Sequence, residues 1–214
     1  MKKESSNKTV EIIRLLKEEY PDAKIALSYS NPLELLVATI LSAQCTDKRV
    51  NIVTQILFKK YREVEDYANA NLRELELDIK STGFYRNKAR NIKKCCQMLI
   101  RKFNSRIPNT MEELLELPGV ARKTANIVLS NVFGIIAGIA VDTHVCRLAN
   151  RLGLTENKDP NKIEMDLMEQ VPKTDWATFT DLMITQGRMT CTAKKPKCEI
   201  CVLSKLCPSA FKLD

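Results

Sequence analysis

The sequence predicts an all-α fold. Three observations carry that reading. Only six of the 214 residues are glycine while 44% are hydrophobic, enough apolar material for a sizeable core and little chain suited to loops. Apolar residues recur at helical spacing, and most such runs open on a capping residue or a proline. No stretch alternates apolar and polar residues as a half-buried strand does.

Taken in order, residues 7–20 place Val10, Ile13, Leu16, Lys17 and Tyr20 along a helix that Pro21 stops. Asn31-Pro32-Leu33-Glu34 supplies an N-cap, Pro at the first helical position and an acid at the third. The helix it opens, to about Ala43, is apolar nearly all round and so reads as a central core helix. Thr46 or Asp47 caps the next, to about Tyr61, with Val50, Val53, Ile56 and Leu57 facing inward. Asn71 caps a short helix to about Thr82, which Gly83-Phe84-Tyr85 interrupts. A basic helix follows to Phe103, with Ala89, Ile92, Cys96, Leu99 and Phe103 on its apolar side. Arg86, Lys88, Arg90, Lys93, Lys94, Arg101 and Lys102 lie on its other faces, mostly to be solvated. Gly134 to Ala140 reads as a loop or extended crossing. Asp142 caps a helix through Arg151 that Gly153 closes. Asp159-Pro160 opens another, ending before Pro172, and Asp175-Trp176 opens the last, to about Arg188.

The net charge is +8, which points to a polyanion, nucleic acid before membrane. No apolar run is long enough to span a bilayer. No signal-peptide core follows Met1-Lys2-Lys3, so the expected location is cytoplasmic. The single histidine, His144, excludes chemistry built on several; its expected role is hydrogen bonding, not ligation. Eight cysteines in an intracellular chain favour metal or cluster ligation over disulfides.

Two stretches carry chemistry. The first is Leu117-Pro118-Gly119-Val120-Ala121-Arg122-Lys123-Thr124-Ala125. Thr110 and Glu113 start a short helix in a capping-box pattern. Pro118-Gly119 breaks it, and Ala125, Val128, Leu129 and Val132 continue as a second helix. A tight hairpin between two helices leaves backbone N–H groups at a helix N-terminus, which is an anion site; on a basic chain the natural anion is a phosphodiester. Lys123 lies in the first turn of the second helix, facing the positive end of its dipole with Arg122 beside it. Both favour the neutral amine, the nucleophilic form. A helix lysine is ordinarily just solvated; the hairpin is what singles this one out.

The second stretch is Cys191, Cys198, Cys201 and Cys207, four thiols within 17 residues in a C-x6-C-x2-C-x5-C pattern. Four thiolates so close can wrap one centre, zinc or iron–sulfur. Zinc ribbons usually show two C-x2-C knuckles; one, with unequal flanking gaps, leans to a cluster. The loop between the first two cysteines carries Lys194, Lys195 and Lys197, a basic loop pinned at both ends and suited to phosphate. Cys45, Cys95, Cys96 and Cys146 read as core packing.

Together these features resemble the endonuclease III family of helix-hairpin-helix DNA glycosylases, over nearly the whole chain. Residues 117–125 look like that family's hairpin, and Val141-Asp142-Thr143-His144-Val145 like the segment with its catalytic aspartate. The 191–207 spacing is that of its [4Fe–4S] cluster. Leu41 to Asp47 and Thr82 to Tyr85 resemble its two DNA-inserting loops. The resemblance implies a two-domain all-α fold: a six-helix domain at 24–136, and a cluster domain built from 1–23 and 137–214. It implies Lys123 as nucleophile and Asp142 as catalytic carboxylate, facing each other across the interdomain cleft, with Cys191, Cys198, Cys201 and Cys207 holding the cluster. Gly119, Ala121 and Arg122 of the hairpin, with Lys194, Lys195 and Lys197, would contact DNA. Gln44 would fill the stack a flipped base vacates, and Phe84 would wedge the opposite strand. The implied activity is excision of oxidised pyrimidines by a Schiff base, then β-elimination, from damaged or abasic double-stranded DNA, by a monomer. The chain departs from the family at Gln186, where His is common, at Met189, where an aromatic is common, and in a connection one residue longer through Ile135 to Gly138. Two other readings compete: a mismatch uracil or thymine glycosylase, and a non-catalytic DNA-binding module with structural zinc. Lys123 with Asp142 argues against the latter, since binding alone requires neither.

Overall fold

Capping residues set the helix starts in the computed structural model, which describes residues 2–212 and the side chains of 7–212. Among these residues every regular element is helical. The chain divides into two compact units, residues 26–137 and residues 1–25 with 138–214.

The continuous unit is built on α2 (Pro32–Leu41), whose residues Leu33 and Leu35 to Leu41 are all buried. Its start is as the sequence dictates: the Asn31 side chain accepts from the Glu34 N–H, and the Glu34 carboxylate from the Ser30 N–H at 2.6 Å. Packed around it are α3 (Asp47–Lys60), capped by Thr46, and α6 (Tyr85–Phe103). Val50, Val53 and Leu57 of α3 face inward, but Ile56 is 71% exposed. An i, i+3, i+7 stripe already fills the buried face, and position 56 lies about 60° beyond its Val53 edge. Between α3 and α6 lie α4 (Val64–Asn69), α5 (Leu72–Asp78) and a 3₁₀ turn (Lys80–Thr82). The sequence reading does not contain α4, a six-residue helix closed by a reciprocal box between Glu63 and Asp66 and anchored by Tyr67, stacked on Tyr61 at 5.0 Å. The last two helices of the unit are α7 (Met111–Glu116) and α8 (Arg122–Phe133), α8 packing on α2.

The other unit joins α1 (Lys2–Glu19) to α9 (Thr143–Arg151), α10 (Pro160–Gln170) and α11 (Trp176–Met189). Ile12 and Leu16 share a core with Val145, Leu148, Leu167 and Phe179. The Lys8 ammonium donates to the Leu152 carbonyl at 2.6 Å, and Lys17 pairs with Asp175 at 2.6 Å. Thus α1 is fastened to chain about 140 residues and more away.

Candidate functional site

Leu117 to Val120 is a tight turn closed by the Val120 N–H on the Leu117 carbonyl at 3.1 Å. Pro118 occupies its second position, and Gly119, at φ +83°, its third, the pattern of a type II turn that demands glycine there. Space demands it too, because a Cβ on Gly119 would stand 2.9 Å from Asn91 Cβ on α6. The turn delivers the chain into α8 through Ala121, which is extended and has no side chain able to cap. Six of the described helices start under an Asn, Asp or Thr side chain; α8, like α6 and α11, starts with no side-chain cap. Lys123 is half-buried in its first turn, and Thr124, Ala125 and Asn126 behind it are buried.

Asp142 caps α9. Its Oδ1 alone accepts both cap bonds, from the His144 N–H at 2.8 Å and the Val145 N–H at 2.9 Å. The second carboxylate oxygen is therefore not needed by the cap. Asp142 lies in the discontinuous unit and Lys123 in the continuous one. His144 hydrogen-bonds as expected: its Nδ1 lies 3.2 Å from Arg147 Nη2, which also donates to the Gly187 and Cys191 carbonyls at 2.9 and 3.0 Å. Burial lowers the imidazole pKa, with Asp142 opposing.

Gln44 and Phe84 are both exposed, Phe84 at 63%. Both adopt the left-handed backbone region, at φ 50° and 46°, a conformation that costs a bulky residue about 1–3 kcal/mol. Neither can be a core residue; each projects from the end of a helix or turn. Lys88, expected on a solvated face, is instead 5% exposed.

The four cysteines of 191–207 are free thiols bordering one small cavity, which Arg151, Thr190, Pro196 and Ser204 also line. No three His, Cys, Asp or Glu side chains among the described residues form a group that could hold a single metal ion. Thiols set around a cavity fit a polynuclear centre better than one ion. Donors face the sulfurs: Arg151 Nη1 lies 3.2 Å from Cys191 Sγ, and Gln186 Nε2 3.2 Å from Cys201 Sγ. Gln186 is buried, and its Oε1 accepts from Tyr20 Oη at 2.7 Å, which fixes the amide so that the nitrogen faces the sulfur. Sequence reasoning marked Gln186 only as a departure; Tyr20, the partner that explains it, comes from a distant helix end. Arg151 also holds the Thr192 and Ala193 carbonyls at 2.8 and 2.9 Å, and the Lys197 N–H closes on the Thr190 carbonyl at 3.0 Å. The loop is pinned at both ends, and Lys194, Lys195 and Lys197 stand exposed on it.

Comparison with known proteins identifies the family. Residues 37–173 match the family described as HhH-GPD superfamily base excision DNA repair protein, and residues 191–207 match the iron-sulfur binding domain of endonuclease III. The chain is 53% identical to endonuclease III of Synechocystis sp. over 203 residues, covering 95% of this chain and 93% of that one. It is 50% identical to endonuclease III of Bacillus subtilis over 196 residues, covering 91% and 89%. A solved structure described as a trapped endonuclease III–DNA covalent intermediate superposes with a TM-score of 0.93 at 47% identity, over 97% of each chain. With its helix–turn–helix around Gly119 and its four-cysteine segment, this chain belongs to the HhH-GPD superfamily and, within it, to the endonuclease III family.

Proposed function

We propose that Lys123 and Asp142 carry the chemistry of this enzyme, a base excision repair DNA glycosylase with AP lyase activity, and that its substrates are oxidised pyrimidines in duplex DNA. The observation that carries the reading is the seat of Lys123. It occupies the first turn of a helix that begins, without a side-chain cap, directly after a Pro-Gly turn. Backbone N–H groups at such a helix start suit a phosphate, and a phosphate held there fixes the strand beside the amine. A relative 47% identical to this chain has been trapped in covalent attachment to DNA, which requires a nucleophile on the protein.

In this reaction Lys123 Nζ bonds to C1′ as the glycosidic bond breaks and the base leaves with a proton. Opening of the sugar ring gives a Schiff base. Loss of a C2′ proton then expels the 3′ phosphate, and the strand is cut 3′ to the lesion. Asp142 holds one oxygen in its cap and offers the other to the positive charge that develops on the sugar. Gly119, Ala121 and Arg122 bind backbone phosphate at the turn, and Lys194, Lys195 and Lys197 add contacts from their loop. Gln44 and Phe84 enter the duplex as the damaged base is flipped out. Cys191, Cys198, Cys201 and Cys207, which line one cavity, would hold the [4Fe–4S] cofactor and so tie the C-terminal segment together. The enzyme acts as a monomer in the cytoplasm.

Borohydride trapping tests the assignment. The native protein should give a covalent protein–DNA adduct on a thymine glycol duplex. Lys123→Gln should bind the lesion yet give neither adduct nor strand cleavage. Asp142→Asn should slow base release by about 10²–10⁴ and spare cleavage at a pre-formed abasic site. Undiminished adduct in Lys123→Gln would move the nucleophile elsewhere. Base release without adduct in that variant would make this a water-using mismatch glycosylase.

A further inference from the structure

Lys88 is a buried ammonium on a helix whose other basic residues all reach the surface at least in part. Its Nζ donates to the Leu41 carbonyl at 2.7 Å and to the Thr82 carbonyl at 2.8 Å. Leu41 is the last residue of α2, and Thr82 the last of the 3₁₀ turn. Carbonyls at helix ends lack intrahelical partners and attract cations, and a buried ammonium must find acceptors. Each group satisfies the other's need, across 47 residues of chain on one side and six on the other. Burial lowers the lysine pKa, and Cys45 nearby opposes this.

Those two carbonyls have notable neighbours. Gln44 lies three residues beyond Leu41, and Phe84 two beyond Thr82; both are held at left-handed φ. The 80–82 turn packs on α3, the helix into which the Gln44 loop runs. One ammonium therefore anchors the roots of both exposed prongs.

We propose that Lys88 is a positioning residue that locks the Gln44 loop and the Phe84 loop into one rigid two-pronged wedge, so that both side chains enter the duplex as a single event. The proposal rests on the reading above that these two residues insert into DNA. Two loops ordered separately on binding would each lose conformational freedom at that moment; a shared anchor places that loss in the folding of the protein instead. The role is not chemical, because Lys88 is buried and its ammonium is bonded to backbone carbonyls.

Two experiments test it. The first compares single-turnover excision by the holoenzyme from a paired thymine glycol duplex and from the same lesion in a bulge, well below the melting temperature. Lys88→Met keeps the stem and removes the donors. It should slow excision from the paired duplex by about 10–100-fold, the scale of an ångström-level misplacement, and from the bulge far less. Adding Phe84→Ala should then cost less than it does alone, since linked residues are not additive. Equal loss on both substrates would make Lys88 an ordinary core cation. The second experiment needs no variant: hydrogen exchange of the native holoenzyme in graded denaturant. Amides of 42–46 and 83–85 should open together along one denaturant dependence. Separate openings would overturn the lock itself. Joint opening with no paired-duplex preference in Phe84→Ala and Gln44→Ala would sink the insertion reading instead, and with it the role assigned to Lys88.

Discussion

Gln186, expected to depart from the family pattern, is fixed by two side-chain contacts. A buried amide beside a thiolate must turn its nitrogen to the sulfur, and the Tyr20 hydroxyl bound to Oε1 holds it so. A donor on a ligand sulfur favours the more negative, reduced state of a cluster. Gln186→Leu should therefore lower the cluster potential by roughly 40 mV, the equivalent of about 1 kcal/mol for one electron. Protein-film voltammetry on DNA-free holoenzyme reads this directly; an unchanged potential would reduce the contact to packing. Asp181 is the second informative residue. Burial raises its carboxyl to about 6 from 3.8, with Arg188 opposing. A raised carboxyl pKa means the folded state binds the proton more tightly than the unfolded one. This one carboxyl thus costs stability as pH rises from about 4 to about 6, and no more above that. Asp181→Asn should gain about 1–3 kcal/mol at pH 8 and nothing at pH 3.5, measured by urea melts at both. A gain of equal size at both pH values would mean that the charge is not its cause.

At the scale of elements, the Pro118-Gly119 turn is where one methyl group should matter most. Gly119→Ala combines a left-handed φ with a 2.9 Å approach to Asn91 Cβ. It should destabilise by about 1–3 kcal/mol and weaken binding to damaged and undamaged duplex alike. Binding kept at full strength would separate the turn from phosphate contact. Helix starts were legible because their caps are local: Asn31, Thr46, Asn71, Thr110, Asp142 and Asp159 each bond backbone N–H groups two or three residues on. The hairpin and the cysteine spacing were legible for the same reason. Helix α4 was hidden because six residues are too few for periodicity and its cap, Glu63, is an unusual one. Lys88 was hidden because both its acceptors belong to other elements, and a charge on a helix reads as solvated until its tertiary partners are seen. Ile56 failed the opposite way, since hydrophobicity alone cannot say that the inward stripe is already full.

At the scale of the molecule, the cluster segment and the Lys123 hairpin belong to different units, so losing one should not dissolve the other. Cys201→Ser should bleach the broad absorption near 400 nm that thiolate-bound iron–sulfur centres give. It should also raise hydrogen exchange through 143–151 and 176–212, where Arg147, Arg151 and Gln186 grip the segment. Amides of α2 and α8 should stay protected; their loss would make the two units one cooperative block. The fastening of α1 to α10 and α11 also sets a timetable. The first helix leaves the ribosome with Ile12, Ile13 and Leu16, which end up buried, uncovered. Their partners, Val145 to Phe179 among them, are made roughly 6–35 s later at about 5–20 residues per second. Residues 26–137 meanwhile form a compact unit of their own and can collapse first. Until the later helices are made, an amphipathic helix with a bare apolar stripe therefore precedes residues 26–137, a transient exposure that favours association with other chains.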